Sequence, residues 1–238
     1  MGKKVTAIVL VGDNPNKKLL ERCFKSLFWC DEIVKIEGKT GGFADWRNEG
    51  FQKATSDWIL YVDSDEEVSQ NLKNEILLGV SHQPSAISAY AIPRRNFIFG
   101  KEFKHGGQWP DYVKRLFVKS KFKGWKGELH EEPVYEGSLD HLSNPLIHHK
   151  DISISEMVEK TNEWSEIEAR LMFEAGHPPM NFFRFFTAGF REFWLRMIKQ
   201  IAFLDGKEGI IYALYQVYSR LISYSKLWEM QTQAVTKQ

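Results

Sequence analysis

Residues 57–68 read DWILYVDSDEEV, so a run of apolar, strand-forming residues ends abruptly in a cluster of acidic side chains. The cluster holds four carboxylates, those of Asp63, Asp65, Glu66 and Glu67. Acidic residues are favoured just before helices, where they cap free N–H groups and meet the positive end of the helix dipole. A helix is predicted from Ser69 to Leu78, and such a cap accounts for Glu66 and Glu67.

Asp63 and Asp65 have a second interpretation. They are separated by one residue at the carboxyl end of a predicted strand, so both side chains could reach one hard cation. Mg²⁺ and Mn²⁺ are commonly held by one or two carboxylates together with phosphate oxygens. From this stretch alone, a helix cap and a metal site both remain open.

Strands and helices alternate on either side of the acidic cluster. The predicted strands are TAIVLV (6–11), EIVKIE (32–37) and DWILYVD (57–63), and the predicted helices are KKLLERCFKSLF (17–28) and ADWRNEGFQKAT (44–55). This alternation predicts an α/β fold with a parallel sheet and helices on both faces. Ligands of such sheets lie outside the carboxyl ends of the strands, which favours the metal interpretation. Residues 86–150 predict antiparallel strands added to this half.

The composition argues against several classes of protein. The formal net charge of the 238 residues is only +1, so no nucleic-acid partner is expected. Cys23 and Cys30 match no zinc or redox spacing, which fits a reduced, cytosolic protein. The apolar run near the N-terminus is too short for a signal peptide and predicts a first buried strand.

The C-terminal part is rich in aromatic and basic residues. Apolar residues recur at helical spacing on one face, at Phe182, Phe186, Phe190, Phe193 and Met197. Arg184, Arg191 and Lys199 lie on the opposite side, a pattern typical of a helix in an anionic membrane interface. The alternative is a helical hairpin that packs on the catalytic domain or on another subunit. No stretch reaches 18 uncharged apolar residues, so a spanning helix is not expected.

Six stretches, in this order, resemble the bacterial family 2 glycosyltransferases, and most of all the branch that adds glucose-like sugars to lipopolysaccharide cores. They are ERCFKSLFWCDEIV (21–34), WRNEGFQKATSDWILYVDSDEEV (46–68), IPRRNFIFGKEFKHGGQWPDYVKRLF (92–117), GELHEEPVYEG (127–137), PLIHHKDISISEMVEKTNEWS (145–165) and FLDGKEGIIYALYQVYSRLISYSKL (203–227). The resemblance implies a GT-A-like, nucleotide-sugar-binding catalytic domain at 1–150. Residues 151–238 are then a basic, aromatic helical extension at the membrane or acceptor side.

On the donor side, the resemblance implies that Asp65 of the DSD motif binds Mn²⁺ or Mg²⁺ on the donor diphosphate. Asp63 then lies nearer the ribose or the outer shell of the metal, and Ser64 lies between the two. The resemblance also places Arg47 and Asn48 beside the nucleotide, although Arg47 taken alone is better interpreted as an exposed helix cation.

Two departures from the family pattern concern the nucleotide. Pro15 stands where an acidic residue usually follows the first strand, and the second strand ends in Glu37 where an Asp is usual. Glu37 is a candidate substitute for that Asp. Because these positions normally meet the nucleobase and the ribose, the identity of the nucleotide is left open.

On the acceptor side, His130-Glu131 corresponds to the acidic motif of the family. Glu131 is the predicted general base and Glu132 the reserve, although the pair alone reads as solvated loop residues. Asp111 is predicted to help hold the acceptor or the donor sugar.

Three further residues are candidates with structural alternatives. Trp109 is either an apolar platform for a sugar face or a core residue. Arg115 either meets phosphate as a bidentate fork or lies on a strand surface. His148 either completes the metal shell or has a structural role.

These observations predict a metal-dependent, inverting glycosyltransferase that moves a hexose from a UDP-linked donor to a lipopolysaccharide-core or other lipid-linked acceptor. Its predicted location is peripheral, on the inner face of the cytoplasmic membrane. One alternative is a sugar nucleotidyltransferase, which usually has a Gly-rich, basic phosphate loop that GDNPNKK does not provide. The other is a non-catalytic membrane-surface scaffold that retains the fold.

Overall fold

The computed structural model describes residues 3–38, 41–82, 86–128, 131–150 and 153–236. The chain forms two compact units. The first comprises Met1–Asn96 and Pro110–Lys150, and the second comprises Phe97–Trp109 and Asp151–Gln238. The segment Phe97–Trp109 therefore belongs with the C-terminal helices rather than with the residues that flank it in sequence.

The first half of the first unit alternates strands and helices, as predicted. Its elements are β1 (Val5–Val11), α1 (Lys17–Ser26), β2 (Glu32–Glu37), α2 (Phe43–Lys53) and β3 (Trp58–Asp63). β1 pairs in parallel with both β2 and β3, and every residue of β1 is buried. Burial on both faces explains why β1 is a continuous apolar run. The register places Val11 opposite Glu37 and Leu10 opposite Asp63, so both acidic residues lie at the carboxyl edge of the sheet.

Further strands extend this sheet, and most of them pair antiparallel, as the sequence predicts. They are β4 (Glu66–Val68), β5 (Ile87–Ile98), β6 (Lys101–Glu102), β7 (Asp111–Val118), β10 (Ser138–His141) and β11 (Leu146–His149). Among the described residues the strand order is β2-β1-β3-β7-β5-β11-β4, with β10 and β6 also paired to β5. β10 pairs with β5 in parallel. The pairs β11–β4, β3–β7, β5–β6 and β5–β7 are antiparallel. β8 (Phe122–Lys126) and β9 (Glu132–Tyr135) form a separate antiparallel pair.

The helix that follows the acidic cluster corrects one expectation. α3 (Gln70–Ser81) buries Leu72, Ile76 and Val80 on one face, as predicted. Its cap, however, is Ser69, whose hydroxyl oxygen accepts a hydrogen bond from the backbone N–H of Leu72. Glu66 and Glu67 do not cap the helix, because they lie in the short strand β4 that precedes Ser69. The cap interpretation was wrong for both residues.

α2 lies close to the sheet because Gly50 has no side chain. A Cβ atom at Gly50 would lie 2.4 Å from Cγ2 of Ile8, so a larger residue would push the helix outward. The hydroxyl of Tyr61, a buried residue of β3, donates to the backbone carbonyl of Arg47 at 3.1 Å. The close approach and this hydrogen bond hold Arg47 on the face of α2 that packs against the sheet.

The second unit contains three long helices, α4 (Ile154–Glu174), α5 (Phe182–Phe193) and α6 (Gly206–Thr236). Ala169, Met180 and Leu227 form a small buried cluster among them. The α-helical geometry of α5 ends at Phe193 and becomes π-helical over Trp194–Lys199. The predicted apolar face therefore does not continue with α-helical spacing to Met197.

In the part of the chain that the structure describes, no helix is both long enough and apolar enough to cross a membrane.

Candidate functional site

Asp63, the last residue of β3, is held by two neighbours. The guanidinium of Arg115 in β7 donates to both carboxylate oxygens of Asp63, and Nη1 lies 3.3 Å from Oδ1. Arg115 also donates through Nη2 to Oε1 of Glu66 at 3.1 Å, and Oε2 of Glu66 accepts from the backbone N–H of Asp63 at 2.9 Å. Arg115 and Glu66 are buried, so the strand end is fixed by buried ionic contacts.

Neighbouring charges, rather than burial, determine the pKa values of Asp63 and Arg115. Burial raises the pKa of Asp63, but the guanidiniums of Arg115 and Arg47 outweigh it and hold that pKa well below its ordinary value. Burial likewise lowers the pKa of Arg115, and the carboxylates of Asp63 and Glu66 raise it above its ordinary value by a larger amount. Asp63 and Arg115 are therefore a fully charged pair in the folded protein.

Arg47 joins this pair to the predicted base. Its Nη1 donates to Oε2 of Glu131 at 2.9 Å, and its Nη2 lies 3.5 Å from Oδ1 of Asp63. The guanidinium carbon stands 4.8 Å from the ring centre of Trp125, within the range of a cation–π contact. Arg47 is 8% exposed, so the interpretation as an exposed helix cation was wrong.

A second arginine, Arg94, links Glu66 to Asp111. Arg94 in β5 is the direct cross-strand partner of Asp111 in β7. It contacts Oδ2 of Asp111 through Nε at 2.9 Å and Nη2 at 2.7 Å, and its Nη1 lies 3.8 Å from Oε1 of Glu66. Burial raises the pKa of Asp111, and Arg94 and the amide of Asn96 outweigh that effect and lower it.

Asn96 continues the contacts from Asp111 to His148. Its Nδ2 donates to Oδ2 of Asp111 at 3.0 Å, and its Oδ1 lies 2.6 Å from Nδ1 of His148. The other ring nitrogen of His148, Nε2, lies 3.7 Å from Oδ2 of Asp65. Asn96 and His148 are buried, whereas 40% of the Asp65 side chain is exposed.

These contacts form one continuous set, which we call the carboxylate–arginine network. Its members, in order of contact, are Glu131, Arg47, Asp63, Arg115, Glu66, Arg94, Asp111, Asn96, His148 and Asp65. Five of these residues are carboxylates and three are guanidiniums. The network therefore carries an excess of negative charge at the carboxyl edge of the sheet.

A family model described as glycosyl transferase family 2 matches residues 3–139. The chain belongs to glycosyl transferase family 2. The resemblance found in the sequence is thereby confirmed, together with the glycosyltransferase activity and the α/β nucleotide-sugar-binding fold that it implies. All members of the carboxylate–arginine network except His148 lie within the matched residues.

Individual relatives of this family 2 glycosyltransferase are distant. An uncharacterised glycosyltransferase of Rickettsia conorii is 24% identical over 221 residues, covering 84% of this chain and 77% of the relative. The lipopolysaccharide core biosynthesis glycosyltransferase LpsC of Rhizobium meliloti is 23% identical over 243 residues, covering 88% and 87%. A solved mannosyltransferase of Pyrobaculum calidifontis, in complex with GDP-Man and Mn²⁺, is 10% identical, covers 99% and 81%, and has a TM-score of 0.45.

Several predicted site residues of the glycosyltransferase lie outside the network. Glu132 is 72% exposed and pairs with Lys114 at 2.8 Å, and Glu37 pairs with Lys35 at 2.6 Å. Ser64 is half-buried in the turn between Asp63 and Asp65.

Asn48 and Trp109 also have other surroundings. The side-chain amide of Asn48 donates to the carbonyl of Trp125 at 3.0 Å and accepts from its N–H at 2.8 Å, which fixes α2 to β8. Trp109 belongs to the second unit and is partly exposed. His130 lies outside the described residues. The nucleotide and sugar contacts predicted for these positions stay predictions.

Three network residues were missed as site residues by the sequence reasoning: Glu66, Arg94 and Asn96. Arg94 and Asn96 occupy alternate positions of β5, in step with the buried Ile92 and Ile98. Side chains two residues apart share one face of a strand, so polar residues in this register indicate a buried polar cluster. That alternation was the available signal.

The acidic turn offers few donor atoms for a metal ion. Within the described ranges, no group of three or more His, Cys, Asp and Glu side chains is arranged to hold a metal ion. Asp63 is a poor ligand because both of its oxygens accept from Arg115. Asp65 and His148 provide one carboxylate oxygen and one imidazole nitrogen that lie 3.7 Å apart. Two such ligands fit a cation whose remaining ligands come from phosphate oxygens and water.

Proposed function

We propose that this glycosyltransferase is metal-dependent and inverting, and that it moves a hexose from a UDP-linked donor to a lipopolysaccharide-core or other lipid-linked glycan. The observation that supports the proposal most strongly is that Asp63 and Asp65, in one acidic turn, have different partners. Asp63 is neutralised by arginines, whereas the more exposed Asp65 has an imidazole as its partner. One carboxylate of the motif thus stabilises the fold and the other is available to a ligand.

Asp65 and His148 are the residues that would hold Mn²⁺ or Mg²⁺. An imidazole together with a carboxylate suits Mn²⁺ better than Mg²⁺, which prefers oxygen ligands. The excess of carboxylates over guanidiniums in the network would repel a bare diphosphate, and a divalent cation removes that repulsion. When bound, the cation stabilises the negative charge that develops on the diphosphate leaving group.

Glu131 is the proposed general base. Its carboxylate takes the proton of the acceptor hydroxyl as the acceptor oxygen bonds to the anomeric carbon and the bond from that carbon to the diphosphate oxygen breaks. Arg47 positions the base, because its guanidinium contacts both Glu131 and Asp63. Glu132 has less support, since it is solvent-exposed and paired with Lys114. A single displacement of the diphosphate by the acceptor oxygen inverts the configuration at the anomeric carbon.

The acceptor class is proposed from two observations. The relative LpsC is a lipopolysaccharide core biosynthesis enzyme, and it is similar over most of both chains. In addition, α5 and the first residue of the π-helical segment after it expose a ladder of aromatic rings, Phe182, Phe186, Phe190 and Trp194, with neighbouring centroids 6.1–6.5 Å apart. Four neighbouring exposed aromatic rings are unfavourable in water and favourable in a lipid interface.

We further propose that α5 docks on the anionic cytoplasmic face of the membrane. Burial of each phenylalanine would contribute about 1.5–3 kcal/mol, and each basic residue near the surface about 1 kcal/mol. Arg184, Arg191 and Lys199, in the same stretch of the chain, are exposed. Salt should therefore weaken the binding without abolishing it.

Donor use is tested by a binding screen. UDP-, GDP- and dTDP-linked hexoses are titrated into the full chain, with Mn²⁺ and with a chelator. The expected result is tightest binding of a UDP-hexose in Mn²⁺ and a loss of binding with the chelator. Equal binding in both conditions would contradict the metal dependence, and binding of only a GDP- or dTDP-hexose would contradict the choice of donor.

Membrane docking is tested by cosedimentation with vesicles that contain anionic phospholipid. The triple variant Arg184→Glu, Arg191→Glu and Lys199→Glu should remain in solution. A matched triple variant, Lys17→Glu, Lys18→Glu and Lys121→Glu, makes the same change of net charge in the first unit at exposed positions and should still bind. A parent protein that ignores vesicles at low salt would show that α5 is a packing surface.

A further inference from the structure

Asn96 lies between two groups of the site, and its amide can satisfy both in only one orientation. We propose that Asn96 is a positioning residue that fixes His148 as the Nδ1–H tautomer and so presents the lone pair of Nε2 beside Asp65. The inference rests on the proposed metal dependence and adds a residue that would control it. Asn96 is fully buried and His148 is 7% exposed, so water does not compete for these contacts.

The orientation of Asn96 is set by Asp111. Arg94 contacts Oδ2 of Asp111 through two nitrogens, at 2.9 and 2.7 Å, so the carboxylate is ionised and can only accept hydrogen bonds. The group of Asn96 that faces Asp111 at 3.0 Å must therefore be the NH₂ group. The opposite orientation would bring two acceptor oxygens together in a buried place, which is unfavourable.

The orientation of Asn96 in turn sets the proton on His148. With its NH₂ group turned to Asp111, Asn96 presents its carbonyl oxygen to Nδ1 of His148 at 2.6 Å. A carbonyl oxygen only accepts, so Nδ1 must carry the hydrogen. In the neutral imidazole the lone pair is then on Nε2, the atom that lies 3.7 Å from Oδ2 of Asp65.

This arrangement is the one that a histidine ligand needs. A histidine that binds a metal through one ring nitrogen usually donates from the other to a carboxylate or carbonyl oxygen, which fixes the ring and increases its basicity. Removal of such a partner typically weakens metal binding about 10–100-fold. Asp111 and Asn96 would thus affect the cation without contacting it.

The first test reads the tautomer directly, without any metal. Long-range ¹H–¹⁵N spectra of the metal-free protein, labelled at histidine, distinguish the two ring nitrogens at pH 8. The signals of His148 are identified by their loss in His148→Gln. The expected result is a protonated Nδ1 and an unprotonated Nε2. A proton on Nε2 in the parent protein would overturn the inference.

The second test removes the carbonyl. Asn96→Leu has a similar volume and no acceptor, so the tautomer preference should disappear and Mn²⁺ should bind about 10–100-fold more weakly. Mn²⁺ is titrated alone and with UDP, and its free concentration is read by electron paramagnetic resonance. Asn144→Leu is the control, because Asn144 donates in the same way to a carboxylate, that of Glu75 at 3.0 Å. Its Mn²⁺ affinity should equal that of the parent.

The outcomes separate the inference from the function on which it rests. A folded Asn96→Leu variant that keeps the tautomer and the Mn²⁺ affinity of the parent would overturn the positioning role. A parent with the expected tautomer that binds no Mn²⁺, alone or with UDP, would instead overturn the proposed metal dependence and the ligand role of His148. If Asn96→Leu does not fold, the tautomer of the parent still decides the assignment.

Discussion

Asp63 and Asp65 are two positions apart, yet they lie in different surroundings. Asp63 is held in the fork of Arg115 and its pKa lies well below its ordinary value, because the guanidinium charges outweigh the cost of burial. Asp65 is the most exposed carboxylate of the network and has His148 beside it. In a DSD motif, one carboxylate can therefore stabilise the sheet edge while the other is available for a ligand.

The largest effect on stability is expected where Arg115 contacts Asp63 and Glu66. Arg115→Met removes one guanidinium and leaves Asp63 and Glu66 buried without it, so the free energy of unfolding should fall by about 3–5 kcal/mol. Urea unfolding measures the change. Arg22→Met is the control, because Arg22 forms an exposed ion pair with Glu67 that is worth about 0–1 kcal/mol. Equal effects of the two substitutions would show that the buried contacts do not stabilise the edge.

The second largest effect is expected from substitution of the proposed base, Glu131. Glu131→Gln keeps the shape of the side chain and removes its basicity, so turnover should fall by about 10²-fold or more, with donor affinity nearly unchanged. Steady-state kinetics with a nucleotide-sugar donor measure both quantities. Glu132→Gln, at the exposed neighbour, should keep most of the activity. The reverse pattern would identify Glu132 as the base. The contact between Arg47 and Glu131 would then not position the base.

Acid should weaken the ion pairs that Asp63 and Asp111 form with arginines. Because the folded-state pKa values of Asp63 and Asp111 are lowered, their contribution to stability is present above pH of about 4 and is lost as the pH falls through the folded values. Asp111→Asn removes one of these groups. Its free energy of unfolding, measured in urea between pH 7 and 3, should fall less steeply with acid than that of the parent. Parallel curves would contradict the charge pairing of Asp111.

The fold was largely predictable because its signals are local. The alternation of apolar runs and helical patterns in the first 80 residues predicted the order of strands and helices, and the structure has that order with one addition, the short strand β4 before α3. Leu72, Ile76 and Val80 share a face in the sequence pattern and in the helix. The π-helical turn after Phe193 was not predicted, because helical spacing in a sequence does not distinguish the two helix types over one turn.

The site was less predictable because its contacts join residues that are far apart in sequence. Glu66 reads as a helix cap when only its neighbours are considered, and its actual partners, Arg94 and Arg115, lie 28 and 49 positions away. Whether they meet depends on the pairing of β5, β7 and β4 across the sheet, which no local pattern encodes. Asp65 and Glu131 could be identified through the family resemblance, but their different surroundings could not.

Asp65→Asn and Asp63→Asn together test whether the two carboxylates of the DSD motif have different roles. Each variant is examined by urea unfolding and by titration with a UDP-hexose in Mn²⁺. Asp65→Asn should change the free energy of unfolding by less than about 0.5 kcal/mol, as for an ordinary surface substitution, and should abolish the Mn²⁺-dependent part of donor binding. Asp63→Asn should lower the unfolding midpoint clearly, because it removes the charge that Arg115 faces. If Asp65→Asn binds the donor in Mn²⁺ as tightly as the parent, the proposal that Asp65 holds the cation while Asp63 stabilises the fold is wrong.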